Sequence, residues 1–111
     1  MSDNADGEAR PQPALLSVDL QEGFDNDTVI IRLNGQEVYR EDGVATMRVL
    51  GLADTFSTEA EPGPATLEVV VESRGLAQTI PLEIGDHTHV GLSIVKGGIE
   101  AIASSEAFGY M

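Results

Sequence analysis

The clearest pattern of apolar and polar positions surrounds Asn34-Gly35, which separates the segments TVIIRL and QEVYR. Both segments contain β-branched and aromatic residues, which favour strands. A two-residue type I′ turn needs positive φ at both central positions, and Asn and Gly tolerate that conformation best. We therefore predict a β-hairpin over residues 28–40, in a register that places Ile31 opposite Val38.

The same register positions two further polar or aromatic side chains of the hairpin. Arg32 lies opposite Glu37, so these opposite charges are predicted to form a surface pair. Tyr39 lies beside Ile30, on the face away from Ile31, where it either packs between two sheets or joins an outward patch.

Period-two alternation predicts further strands on both sides of the hairpin. Residues 15–20 (LLSVDL) place apolar side chains on one face, and residues 44–50 (VATMRVL) do the same. Residues 54–58 (DTFST) are predicted to form a short strand with one phenylalanine. Residues 59–64 (EAEPGP) form a loop by their composition.

The second half of the chain is predicted to form a four-strand antiparallel meander, with strands at roughly 65–73, 76–84, 88–96 and 99–104. Its turns are predicted at Arg74-Gly75, at 85–87 and at Gly97-Gly98. The three-residue loop is favoured because it pairs Leu82 with Val90, whereas a two-residue turn would pair Leu82 with His89 and place an imidazole in the core. Pro81 cannot donate to a ladder, so it should lie at a bulge or on a non-bonded side.

These elements together predict an all-β protein, an antiparallel β-sandwich of seven or eight short strands with a C-terminal four-strand meander. The strand pattern resembles that of immunoglobulin-like, jelly-roll-like and carbohydrate-module-like sandwiches. We expect a flexible acidic tail over residues 1–14 and a single sandwich domain over residues 15–111. In the apolar segment 107–111, Phe108 or Tyr110 is expected to pack back on the sandwich.

Composition narrows the classes of partner. The chain of 111 residues has 19 acidic and 6 basic residues, a net charge of −13 and no cysteine. Such a charge repels nucleic acids and anionic membranes and favours cations or basic partners. The N-terminus has no basic and apolar signal-peptide pattern, and no apolar run is long enough to span a membrane. We therefore expect no nucleic-acid or membrane partner, and a cytoplasmic location.

An acidic cluster at the open end of the hairpin is the first candidate site. The predicted register places Asp27 opposite Asp42 and Glu41 opposite Thr28, with Asp25 just before them. Opposed carboxylates repel each other without a counterion, and hard oxygen ligands suit Ca²⁺. Calcium is therefore the alternative to the expectation of no cofactor. The competing interpretation is a solvated loop in which a neighbouring arginine, Arg40, supplies the counter-charge.

The second candidate is the histidine pair of the segment DHTH. His87 and His89 alternate on a strand, so they lie on one face and could share a metal such as Zn²⁺. No third or fourth ligand is identifiable by spacing. The alternative is that both are ordinary surface histidines, with His89 facing Glu83 in the predicted register.

No catalytic motif is recognisable: the serines lack a nucleophile elbow, and carboxylates are numerous without a defined spacing. We therefore expect a non-enzymatic binding or assembly module that contacts a protein partner or another copy of itself. Val95 and Ile102, near Val70 on the outward face of the meander, are candidate contact residues. A Ca²⁺-dependent, carbohydrate-module-like sandwich is the alternative, and a small hydrolase is the third hypothesis.

Overall fold

The computed structural model describes residues 13–110, which form eight strands in two packed four-stranded sheets. The predicted all-β sandwich is confirmed, and its finer likeness to immunoglobulin or jelly-roll folds stays a prediction. The strands are β1 (Ala14–Leu20), β2 (Asp27–Leu33), β3 (Gln36–Val44), β4 (Asp54–Ala60), β5 (Gly63–Val71), β6 (Leu76–Ile84), β7 (His87–Val95) and β8 (Gly98–Ser104).

The sheets have strand orders β4-β1-β7-β8 and β3-β2-β5-β6. All neighbouring pairs are antiparallel except β1 and β7, which are parallel. The predicted four-strand meander is therefore wrong, because β6 and β7 belong to different sheets. Leu82 and Val90 are nevertheless both buried in the core. Both side chains are therefore buried in the interior that the two sheets share, and not side by side within one sheet.

The other two hairpins of the second half form, but with longer or shifted turns. A 3₁₀ turn, Glu72–Arg74, followed by Gly75 connects β5 to β6 and pairs Val71 with Leu76. Between β7 and β8, the turn lies at Lys96-Gly97, both with positive φ, rather than at Gly97-Gly98. Each register differs from the predicted one by two residues. A shift of two leaves every side chain on its predicted face.

The first hairpin has the predicted type I′ geometry, with φ of 51° at Asn34 and 84° at Gly35. The ladder departs from the prediction at Val38, where β3 carries one residue more than β2. Tyr39 therefore lies opposite Ile31, and the predicted pairing of Ile31 with Val38 is wrong. This β-bulge moves the tyrosine to the buried face.

The bulge lets Tyr39 connect the two sheets at their edges. Its ring stacks on Phe56 of β4 with centroids 4.7 Å apart, and its hydroxyl donates to Asp54 Oδ2 at 2.7 Å. Burial and this hydrogen bond raise the pKa of Tyr39 well above its ordinary value. Of the two predicted positions for this tyrosine, packing between sheets is confirmed.

The core is built from the inward faces of the strands, as alternation predicts for a two-layer fold. The strand at 15–20 is confirmed, with its apolar positions fully buried, and the strand at 54–58 extends to Ala60. The predicted strand at 44–50 is wrong: β3 ends at Val44, and residues 45–53 form a loop with an isolated bridge at its base. The predicted loop at 59–64 shortens to residues 61–62, because β4 and β5 extend into it.

Pro81 lies on the edge strand β6, which fits its missing N–H. Tyr110 packs back on the sandwich, as expected for the C-terminal segment: its hydroxyl donates to Asp19 Oδ2 at 2.7 Å. Most of the predicted flexible tail, residues 1–12, lies outside the described residues, and Ala14 already belongs to β1. Within residues 13–110, no helix is long and apolar enough to cross a membrane.

Candidate functional site

The most exposed apolar side chains lie in the connection between β3 and β4, residues 45–53, here called the apolar loop. Val49 is 85% exposed, Met47 59% and Leu50 36%. Burying an aliphatic side chain of this size is worth roughly 1.5–3 kcal/mol. The loop therefore leaves a substantial apolar surface in water that the sandwich itself does not use.

Thr46 holds the base of the apolar loop against the connection between β1 and β2. Its hydroxyl donates to the Gln21 carbonyl at 2.6 Å and accepts from the Phe24 N–H at 3.1 Å. Its own N–H donates to the Phe24 carbonyl at 2.9 Å, and the Ala53 N–H donates to Leu20 at 2.6 Å. These hydrogen bonds fix the direction in which the loop leaves the sandwich.

A tight turn presents the apolar residues at the tip of the loop. The Met47 carbonyl accepts from the N–H groups of Leu50 at 3.1 Å and Gly51 at 2.8 Å. Gly51 has φ of 68°, and a Cβ there would lie 2.5 Å from Glu22 Oε2. The turn therefore depends on glycine at position 51.

The predicted calcium ligand Asp27 is occupied by an ion pair. Arg74 donates from Nε to Oδ1 at 2.9 Å and from Nη2 to Oδ2 at 2.8 Å. Ser73 Oγ donates to Oδ1 at 2.7 Å, and the Asp25 N–H donates to Oδ2 at 2.8 Å. Burial raises the pKa of Asp27, but these hydrogen bonds outweigh it and lower the pKa to about 2. Both oxygens are therefore already saturated with donors.

The four predicted ligands do not form one cluster within residues 13–110, although the backbone N–H of Asp25 contacts Asp27. A second bulge in β3 places Asp27 opposite Val44, so the predicted pairing of Asp27 with Asp42 is wrong. Asp42 accepts a hydrogen bond from Thr28 at 3.0 Å, and Glu41 lies opposite Val29. Across residues 13–110, no three His, Cys, Asp or Glu side chains are close enough to hold a metal ion. The calcium hypothesis thus stays a prediction that this geometry does not favour.

The ion pairs of the first hairpin also differ from those predicted. Arg32 pairs with Glu68 of β5 at 3.1 Å rather than with Glu37. Glu37 instead pairs with Arg40 at 2.9 Å, and Glu37 together with the nearby Asp42 raises the pKa of Arg40. Arg40 therefore still lies near one carboxylate of the predicted acidic cluster. The Arg40–Glu37 pair is exposed and contributes little to stability, whereas the Arg32–Glu68 pair is half-buried.

His87 and His89 share one face, as predicted, on the outward side of β7. Their rings are stacked with centroids 4.2 Å apart. His87 Nε2 shares a 2.8 Å hydrogen bond with Ser17 Oγ, which lies 2.8 Å from Ser57 Oγ. His89 lies opposite Ser17 and not opposite Glu83, because β6 is in the other sheet. Two imidazoles alone are fewer ligands than a structural zinc site uses.

A polar network on the same outward face was not predicted from the sequence. Asp19 accepts from Thr55 at 2.7 Å and from Tyr110 at 2.7 Å, and Gln21 donates to the Tyr110 hydroxyl at 2.8 Å. Burial and the Asp19 hydrogen bond raise the pKa of Tyr110 to about 12. Nothing in the local pattern pairs residues so distant along the chain.

The candidate contact surface on the outward face of the meander does not form as predicted. Val95 and Ile102 are exposed in the β4-β1-β7-β8 sheet, whereas Val70 lies in the other sheet. These apolar side chains therefore do not form one patch.

A shallow groove lies at the end of the sandwich opposite the apolar loop. It is here called the end groove, and its lining residues are Pro81, Leu82, Glu83, Gly85, Asp86, His87, Thr88, Ala103, Ser104 and Ser105. Strand β1 runs from one of these ends to the other. Its first residues pair with the start of β7, and its last residue pairs with Asp54, next to the apolar loop. No arginine or lysine lines the groove, whereas His87 and two carboxylates do.

A two-layer sandwich serves many unrelated functions, so the fold alone assigns none. No family model matches the chain, no curated protein matches it, and no solved structure matches it.

Proposed function

We propose that this protein is a non-enzymatic binding or assembly module that contacts a protein partner through the apolar loop. The observation that supports this proposal is the exposure of Val49, Met47 and Leu50 in a loop whose shape is held by hydrogen bonds. Apolar groups gathered at one projecting site are typical of protein contacts.

The order of the loop supports binding for an energetic reason. Association costs free energy when side chains and loops become ordered at the interface. Thr46 and Gly51 already hold the turn before any partner arrives. An apolar tip that is already ordered loses less conformational entropy on binding, so more of the free energy of burial contributes to affinity. Loops at the ends of β-sandwiches serve as binding sites in the same way in immunoglobulin variable domains.

Net charge indicates the chemistry of the partner. The chain has a net charge of −13, and three of its arginines are held in ion pairs within the fold. This charge disfavours nucleic acid and anionic membranes and leaves a protein as the favoured partner.

The test is site-specific photo-crosslinking in extracts of the source organism. A photoreactive phenylalanine analogue replaces Val49 in one variant and Gln36, an exposed position on β3, in the control. We expect a protein adduct of defined mass from position 49 and none from position 36. The captured protein, once purified, should bind the wild type at least about tenfold more tightly than Val49→Asp. Equal labelling from both positions, or equal binding of both variants, would reject the proposal.

A further inference from the structure

The end groove complements the apolar loop in shape and in charge. The loop exposes apolar side chains at its tip, with Arg48 between Met47 and Val49. The groove is a depression that combines apolar lining residues, Pro81 and Leu82 among them, with two carboxylates. We infer that the partner of the apolar loop is the end groove of a second copy of this chain, an inference that rests on the proposed function.

Charge is the observation that selects a second copy. Arg48 is exposed and makes no ion pair with any residue between 13 and 110. Glu83 and Asp86 are exposed in the groove, which has no arginine or lysine in its lining. Docking the tip brings the guanidinium to these carboxylates, and complementary charges of this kind set orientation and association rate.

The positions of the two surfaces determine the type of assembly. The apolar loop lies beside the end of β1, and the end groove lies beside the beginning of the same strand, so one copy cannot fill its own groove with its own loop. Contact between two different surfaces is heterologous, and it leaves a free loop at one end and a free groove at the other. The copies therefore add head to tail, into a ring if the rotation closes and into an open chain otherwise.

The contact is small, which sets the concentration range of the test. A single loop in a shallow groove lies at or below the small end of specific interfaces, for which dissociation constants of about 10 µM to 1 mM are reasonable. The mass of the full chain should be followed by sedimentation and light scattering up to about 1 mM. The wild type is expected to shift from monomer towards dimers and larger species.

A complementation experiment separates this contact from any other self-association. Val49→Asp disables the loop and keeps the groove, whereas Glu83→Lys with Asp86→Lys disables the groove and keeps the loop. Each variant alone is expected to self-associate at least about tenfold more weakly than the wild type. An equimolar mixture is expected to form a dimer that grows no further, because one functional loop and one functional groove remain.

Matched controls use exposed positions elsewhere. Val95→Asp introduces the same charge at another exposed valine, and Glu41→Lys with Glu72→Lys makes the same change in net charge away from the groove. Both controls should associate like the wild type, and thermal unfolding verifies that every variant folds. A wild type that stays monomeric at about 1 mM, or a mixture that stays monomeric, overturns the inference. If position 49 still captures another protein in that case, the proposed function stands and only the second copy is excluded.

Discussion

The guanidinium of Arg74 forms a two-pronged pair with the carboxylate of Asp27, at 2.9 Å and 2.8 Å. The carboxylate is 2% exposed, and Arg74 also donates to the Gly23 carbonyl at 2.9 Å. The 3₁₀ turn after β5 is thus connected to the start of β2 and to the connection before it. Residues first predicted to attract a cation from solution are held by a cation from the chain itself.

Replacing Arg74 with alanine should destabilise the fold by about 2–3 kcal/mol, because the buried Asp27 carboxylate loses its counter-charge. Urea denaturation at neutral pH measures the change. Arg40→Ala is the matched control, since the Arg40–Glu37 pair is exposed and its loss should cost about 0.5 kcal/mol or less. Equal losses in the two variants would contradict the special role of the buried pair.

Stability should depend on pH through Asp27. Its pKa of about 2 in the folded protein lies below the ordinary value of 3.8, so the carboxylate stabilises the fold above about pH 4. This contribution, about 2 kcal/mol, should disappear as the pH falls from about 4 to about 2. Free energies of unfolding measured across this range should show a smaller slope for Asp27→Asn than for the wild type. An unchanged slope would count against the ion pair.

Gly51→Ala should destabilise the protein by about 1 kcal/mol, because position 51 has a left-handed backbone that a residue with a Cβ adopts only with strain. It should also weaken crosslinking from position 49, since the tip loses its shape. Gly85→Ala is the control, because a Cβ there meets no atom within 4 Å. Thermal unfolding compares the two variants, and similar melting temperatures would show that the turn does not need glycine.

Tyr39→Ala should destabilise the fold by about 3 kcal/mol or more, because the ring stacks on Phe56 and the hydroxyl donates to Asp54. Val38→Ala is the control and should cost about 1 kcal/mol, because this side chain is only half-buried. Chemical denaturation of both variants measures the difference. Similar losses would mean that the tyrosine does not stabilise the contact between the two sheets.

Calcium should leave the melting temperature unchanged. Both oxygens of Asp27 already accept hydrogen bonds, and Asp42 bonds to Thr28. A ligand bound only to the folded state at 100 times its dissociation constant would add about 2.7 kcal/mol of stability. Thermal unfolding in excess Ca²⁺ and in chelator tests this expectation, and a clear rise with Ca²⁺ would restore the calcium hypothesis.

Local chemistry accounts for what the sequence by itself determined. The Asn34-Gly35 turn formed as predicted because its two residues tolerate positive φ without any help from the rest of the fold. The buried face of β1 also followed from alternation, since a pleated strand places every second side chain on the same side. For the same reason, the registers of the later hairpins could shift by two residues without moving any side chain to the wrong face.

Only the tertiary structure decided the partners of those faces. The alternation of apolar and polar residues predicts that Leu82 and Val90 point inward. Burial is equally favourable next to a residue of the same sheet and opposite a residue of the other sheet. The bulge at Val38 and the pairing of Asp27 with Arg74 likewise depend on residues distant along the chain, Phe56 and the 3₁₀ turn. Hydrophobic burial has no direction, so the pattern selects the buried side chains, and packing between the sheets selects what they contact.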